Sequence, residues 1–167
     1  MRVLVAYASR YGSTEEIAAT IAEQLRADGL DAEARPAGDV RDLDGVDAVV
    51  LGSAVYMKRW QRDARRFLRR HSAELGERPF WVFSSGPVGK DPDPAWNEPS
   101  KTIAKVEELG ARDHVVFGGS VPDEPGNFVQ RQVARETPED LRDLRDWEQI
   151  RAWAASIAAE LAAAPAS

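Results

Sequence analysis

The chain has 167 residues, of which 22 are basic and 28 acidic, for a formal net charge of -6. That length suits one domain around one core, and the negative balance disfavours nucleic acid as a main partner. The absence of cysteine excludes disulfides, thiolate metal sites, iron–sulfur clusters and cysteine nucleophiles, and it fits a reducing compartment. No run approaches the ~18 apolar residues of a spanning helix. Met1 leads at once into apolar residues without a small-residue cleavage site, so the chain reads as mature and cytoplasmic.

Residues 3–7 are rich in β-branched side chains and predict a first strand. A turn over residues 9–14 follows. Ile17, Ile21 and Leu25 recur with Ala18 and Ala22 at helical spacing, predicting a helix over about 14–27. Ser13 and Glu16 form a capping box at its start, and Gly29 lies past its end. Residues 31–35 read as a weak edge strand, and residues 46–52 as a strand buried on both faces. Trp60, Ala64, Phe67, Leu68 and Leu75 lay one apolar stripe along a second helix.

Residues 79–84 read as a fourth strand, with a polar, proline-rich loop over 88–98. A helix over about 99–109 has Pro99 at its start and Gly110 beyond it. Residues 115–118 form a fifth strand, and 122–136 an irregular region. Thr137-Pro138-Glu139-Asp140 opens a short helix. Asp146 and Gln149 cap a last helix carrying Ile150, Trp153, Ile157 and Leu161.

Strands and helices alternate throughout. That pattern predicts an α/β fold of three layers, α/β/α, around a doubly wound five-stranded parallel sheet of order 2-1-3-4-5. The expectation is one domain over residues 1–167.

Ligands of such sheets bind outside the carboxyl ends of the strands where the order reverses, here between strands 1 and 3. The segment there reads Ser9-Arg10-Tyr11-Gly12-Ser13-Thr14. It joins a strand to a helix N-terminus, whose amides and dipole favour an anion such as phosphate. Gly12 allows close backbone approach, and the hydroxyls of Ser9, Ser13 and Thr14 add donors. The alternative is an ordinary capped turn, which uses the same residue types. The segment is not the G-x-G-x-x-G turn of dinucleotide-binding proteins.

Ser9-x-x-Gly12-x-Thr14 resembles the phosphate loop of flavodoxins. Gly52-Ser53-Ala54-Val55-Tyr56 resembles their loop along one side of the flavin ring. Asp146-Trp147-Glu148-Gln149 resembles the helix start of one branch, the menaquinone-dependent, flavodoxin-like protoporphyrinogen IX dehydrogenases. The resemblance implies a flavodoxin-like fold and FMN as cofactor. It assigns Ser9, Arg10, Tyr11, Gly12, Ser13 and Thr14 to the phosphate. Ala54, Val55, Tyr56 and Met57 would flank the ring, with Ser85, Gly86, Pro87, Val88 and Gly89 on its other side. Two departures stand out: Tyr11 replaces a threonine common in flavodoxins, and residues 121–136 are shorter than that branch's insertion and carry one aromatic, Phe128.

Tyr56, Trp60 and Trp96 are candidates to stack on a ring, with core packing favoured for Trp60 because it lies on the apolar stripe. His71 and His114 lie away from the site and read as surface or structural residues. No general acid, general base or metal cluster is expected.

Lys58, Arg59, Arg62, Arg65, Arg66, Arg69 and Arg70 face one acid, Asp63, between residues 58 and 70, while the remainder of the chain carries a formal charge of -12. This stretch reads either as a solvated helix face or as a docking surface for an acidic redox partner, porphyrin carboxylates or an anionic membrane. The expected function is therefore an FMN oxidoreductase, resembling a protoporphyrinogen IX dehydrogenase with a quinone acceptor. A flavodoxin-type electron carrier and a flavin-free binding module on the same fold stay open. A response-regulator reading is set aside, since strands 1 and 3 end in Tyr7-Ala8-Ser9 and Gly52-Ser53-Ala54 without carboxylates.

Overall fold

The computed structural model describes residues 1–86, 99–121 and 128–165. Five parallel strands form its centre: β1 (Arg2–Ala8), β2 (Asp31–Pro36), β3 (Ala48–Tyr56), β5 (Phe80–Ser85) and β6 (His114–Phe117). Their order is β2-β1-β3-β5-β6, which is the predicted 2-1-3-4-5 once a two-residue strand, β4 (Arg59–Trp60), is set apart. β4 pairs antiparallel with the end of β3.

Strand periodicity sorts the core into two layers. Val3, Val5 and Tyr7 of β1 join Ala48 and Val50 of β3 and Trp81 and Phe83 of β5 on one face. That face is covered by α1 (Ser13–Ala27) and α6 (Trp147–Ala163), which contribute Ile17, Ile21, Leu25, Ile150, Ile157 and Leu161. Leu4, Ala6, Val49, Leu51, Phe80 and Val82 point the other way. They meet Phe67 and Leu68 of α2 (Arg62–Arg70), Leu75 of α3 (Ser72–Gly76) and Val106 of α4 (Ser100–Glu108). β2 stands at the edge, which explains its polar, half-buried sequence and its tolerance of Pro36.

Four expectations need correction. The second helix is broken into α2 and α3 at His71, whose ring turns inward to 2% exposure, tilts against Phe67 and bonds Glu74 through Nδ1 at 3.1 Å. Residues 128–136, expected to be irregular, include α5 (Phe128–Glu136). The Ser13–Glu16 capping box does not form: Ser13 is already inside α1, and the N-cap is Gly12 with no side-chain cap. The segment after β3 is a hairpin with β4 rather than an open loop. At the last helix, by contrast, the Asp146 side chain accepts the Gln149 N–H as expected. Among the described residues no helix is long and apolar enough to cross a membrane.

Candidate functional site

Parallel register places three strand ends side by side. Ala8 of β1 pairs with Ser53 of β3, and Ala54 of β3 pairs with Ser85 of β5. The carboxyl ends of β1, β3 and β5 therefore lie together beside the switch point between β1 and β3, where the sheet order reverses.

The loop after β1 is built by its own residues. Gly12 takes a left-handed conformation at φ 90, and a β-carbon there would meet nothing within 4 Å. Its N–H donates to Ser9 Oγ at 2.9 Å, and its carbonyl accepts the Glu16 N–H at 3.2 Å. Ser9 thus shapes the turn. With no side-chain cap, the first turn of α1 presents its amides to the crevice. Thr14 is 1% exposed, and neither its Oγ1 nor the buried Oγ of Ser13 has a hydrogen-bond partner. A buried hydroxyl left unpaired costs about 1–3 kcal/mol. Two of them beside uncapped amides at a positive helix end form a donor set suited to a phosphate.

Beside this loop opens a cleft of about 570 Å³, lined by Tyr7, Ser9, Arg10 and Glu15, by Pro36 at the end of β2, and by Gln61, Arg62 and Asp63 at the start of α2. Burial pushes the Tyr7 phenol above its ordinary range, and the neighbouring Glu15 carboxylate, which it hydrogen-bonds, adds to the effect. Arg10 reaches across the site. Its guanidinium lies 4.8 Å from the centroid of the Tyr56 ring and 5.3 Å from that of Tyr11, both within cation–π range.

The predicted ring-flanking residues occupy the β3–β4 hairpin. Tyr56 pairs with Arg59 and Val55 with Trp60, leaving Met57 and Lys58 as the two turn residues. Both hold positive φ, 50 and 59. A two-residue hairpin turn demands this geometry and usually draws Asn or Gly. Met57 is 78% exposed and Tyr56 36%. At the end of β5, Ser85 is buried, and Gly86 turns at φ 126 with Val55 O 3.7 Å from the position of a β-carbon. The Gly86 N–H donates to Phe117 O at 3.0 Å, so that amide is already spent. Pro87, Val88, Gly89 and Trp96 lie outside the described residues.

A buried polar tie lies beneath the hairpin. Trp60, 1% exposed, donates its Nε1–H to Ser84 Oγ at 2.9 Å, and Ser84 Oγ lies 3.0 Å from His114 Nε2. Trp60 is therefore a packing residue and His114 a structural one. Ser53 Oγ accepts the Gln61 N–H and donates to Ala54 O, both at 2.9 Å, tying β3 to the start of α2.

Sequence reasoning missed Arg145. Its guanidinium hydrogen-bonds Asp143 Oδ2 at 2.7 Å, bonds Glu16 Oε2 and stacks 4.7 Å from the Trp147 ring centroid. It clamps the approach to α6 onto the first turn of α1. Nothing in a linear reading couples residues 129 positions apart.

The flavodoxin domain model matches residues 4–139. The chain is 24% identical over 95 residues to protoporphyrinogen IX dehydrogenase [quinone] of Escherichia coli K12, covering 56% of this chain and 52% of that protein. The chain thus spans about half the length of the curated relatives it matches. Among solved structures, a flavodoxin from the domain Archaea superimposes with a TM-score of 0.65 at 16% identity, covering 97% of this chain and 99% of that one. A cysteine-to-serine mutant of flavodoxin from Pseudomonas aeruginosa gives 0.65 at 19% identity over 97% and 99%. Rubredoxin oxygen:oxidoreductase of Desulfovibrio gigas gives 0.65 at 18% identity over 97% of this chain and 36% of that one. The fold, the switch-point crevice and the matched span together place this chain in the flavodoxin domain family.

Proposed function

We propose that the chain binds FMN in the switch-point crevice and works as an oxidoreductase, passing electrons from a porphyrinogen-type substrate to a quinone. The observation that carries the cofactor reading is the pair of unpartnered buried hydroxyls, Ser13 Oγ and Thr14 Oγ1, at the uncapped start of α1. A phosphate there would accept from both, together with the first-turn amides. Gly12 keeps the approach open. The enzyme reading is supported by the likeness to protoporphyrinogen IX dehydrogenase [quinone].

When bound, FMN supplies the hydride and electron chemistry. The residues of this chain would hold and tune it. Ser9 holds the turn open through the Gly12 N–H. Tyr56 offers an aromatic face, and backbone carbonyls over residues 53–57 would accept a ring N–H. Gly86 lets the chain pass close to Val55 without a side chain between them. The Gly86 amide is spent on Phe117 O, so it is not among the donors to the polar edge of the ring.

A second reading, an electron carrier without a substrate of its own, is favoured by the near-complete two-way coverage with flavodoxin structures. The spectrum of the purified protein and an FMN titration of the apo form test the cofactor. Stoichiometric FMN binding sustains the site, while no binding of FMN or FAD at high concentration removes it. Anaerobic oxidation of protoporphyrinogen with a quinone then separates the two redox readings. Porphyrin formation supports the enzyme, and its absence at every protein concentration leaves the carrier.

A further inference from the structure

The basic stretch has a shape that composition alone does not reveal. α2 turns Ala64, Phe67 and Leu68 into the core and leaves Arg62, Arg65, Arg66, Arg69 and Arg70 exposed. At about 100° per residue these five arginines share an arc of roughly 140°. Asp63 is the one acid on the helix and sits at the margin of that arc. The β3–β4 hairpin, with Lys58 and Arg59 also exposed, continues the surface. At its tip Met57 stands 78% exposed beside the half-exposed Tyr56 ring. The result is an apolar tip ringed by cations.

We propose that this face docks the protein on an anionic phospholipid surface. Arginines bind lipid phosphates bidentately, and Met57 and Tyr56 suit the boundary between headgroups and acyl chains. An acidic protein would match the arginines equally well, and it is the projection of the apolar Met57 from the hairpin tip that favours a bilayer interface. The remainder of the chain carries a formal charge of -12, and that asymmetry favours approach to an anionic surface by the basic face. In that orientation the hairpin beside the switch-point crevice meets the membrane. The inference rests on charge and exposure and does not depend on the cofactor.

The test is co-sedimentation of the full chain with phosphatidylcholine vesicles, with and without about 30% phosphatidylserine, in low and physiological salt. The unmodified protein should partition onto the anionic vesicles alone and be released by salt. The triple change Arg66→Gln, Arg69→Gln and Arg70→Gln should weaken partition about tenfold or more. Met57→Ser should weaken it a few fold and leave the salt dependence unchanged. Thermal melts confirm that each variant is folded, and single arginine changes serve if the triple variant is not. No partition by the unmodified protein, equal partition onto neutral vesicles, or a folded triple variant that binds undiminished overturns the proposal. So does arginine-dependent capture by polyglutamate with no binding to vesicles, which points to an acidic polypeptide. The apo and FMN-loaded proteins are run in parallel, so failure to dock and failure to bind flavin are read separately.

Discussion

A β-carbon added to Gly52 would lie 2.0 Å from Cζ of Phe83. The two residues are paired neighbours on β3 and β5, on the face covered by α1 and α6. Phe83 lays its ring across the glycine and reaches Phe117 and Trp153, at 5.7 and 6.2 Å between centroids. The glycine of the segment resembling the flavin loop is therefore also a packing requirement.

Gly52→Ala should destabilise the fold by about 3 kcal/mol, at the upper end of overpacking penalties, since Phe83 is fully buried and has no free direction to move. Urea unfolding measures it. Phe83→Leu in the same chain should recover part of the loss, and strict additivity of the two changes would count against the contact.

Thr14→Val is expected to separate binding from folding. The hydroxyl has no partner, so replacing it with a methyl should leave the stability of the apo protein unchanged or raise it by up to about 1 kcal/mol. FMN affinity should drop about tenfold for the lost hydrogen bond to a charged group. Fluorescence titration and thermal melts read the two effects. A variant that loses stability while binding FMN normally would assign the hydroxyl a structural role.

Met57→Gly should stabilise the chain by about 1 kcal/mol, because a bulky residue at φ 50 gives way to one that adopts that conformation freely. Chemical unfolding provides the value. The same change removes the exposed side chain at the hairpin tip, so stability and docking should move in opposite directions.

Asp143 makes stability depend on pH. Hydrogen bonds from Arg145 are the main reason its carboxyl sits below the ordinary aspartate range. A lowered folded pKa adds stability that is present above the unfolded pKa and is lost as pH falls through the folded value. Half the Asp143 side chain is exposed, so solvent screening limits the gain to below about 1 kcal/mol. Asp143→Asn should cost that amount at neutral pH and nothing in strong acid, where both proteins carry a neutral side chain. An offset that stays constant across the acid limb would show that charge plays no part.

Tyr7 should ionise late. Its pKa is raised by burial and then by Glu15, so Tyr7→Phe should remove the highest-pH part of the phenolate absorbance change. Because the unfolded chain releases this proton first, the group also withdraws stability as pH rises above the ordinary tyrosine range near 10. The variant should therefore resist alkali better than the unmodified protein.

Much of this was legible in the amino-acid order because periodicity is a local property. The apolar, β-branched run over residues 3–7 marked β1, and the helical recurrence of Ile17, Ile21 and Leu25 gave α1 its buried face. The alternation of five strands with helices suited the doubly wound order, and the location of the crevice followed from that order. The Asp146 cap was legible because donor and acceptor lie three residues apart.

Tertiary structure decided what depends on distant partners. Gly12 rather than Ser13 caps α1, because the left-handed turn bonded by Ser9 starts the helix one residue early. The stripe from Trp60 to Leu75 breaks at His71, because the ring finds a buried place against Phe67. Arg145 joins α1 to the approach to α6 across the fold, and Arg10 reaches the Tyr56 ring. The hairpin at Met57 and Lys58 has no turn residue to announce it. Pairing with β4, held by the buried bond from Trp60 to Ser84, imposes the positive φ values that neither residue would choose alone.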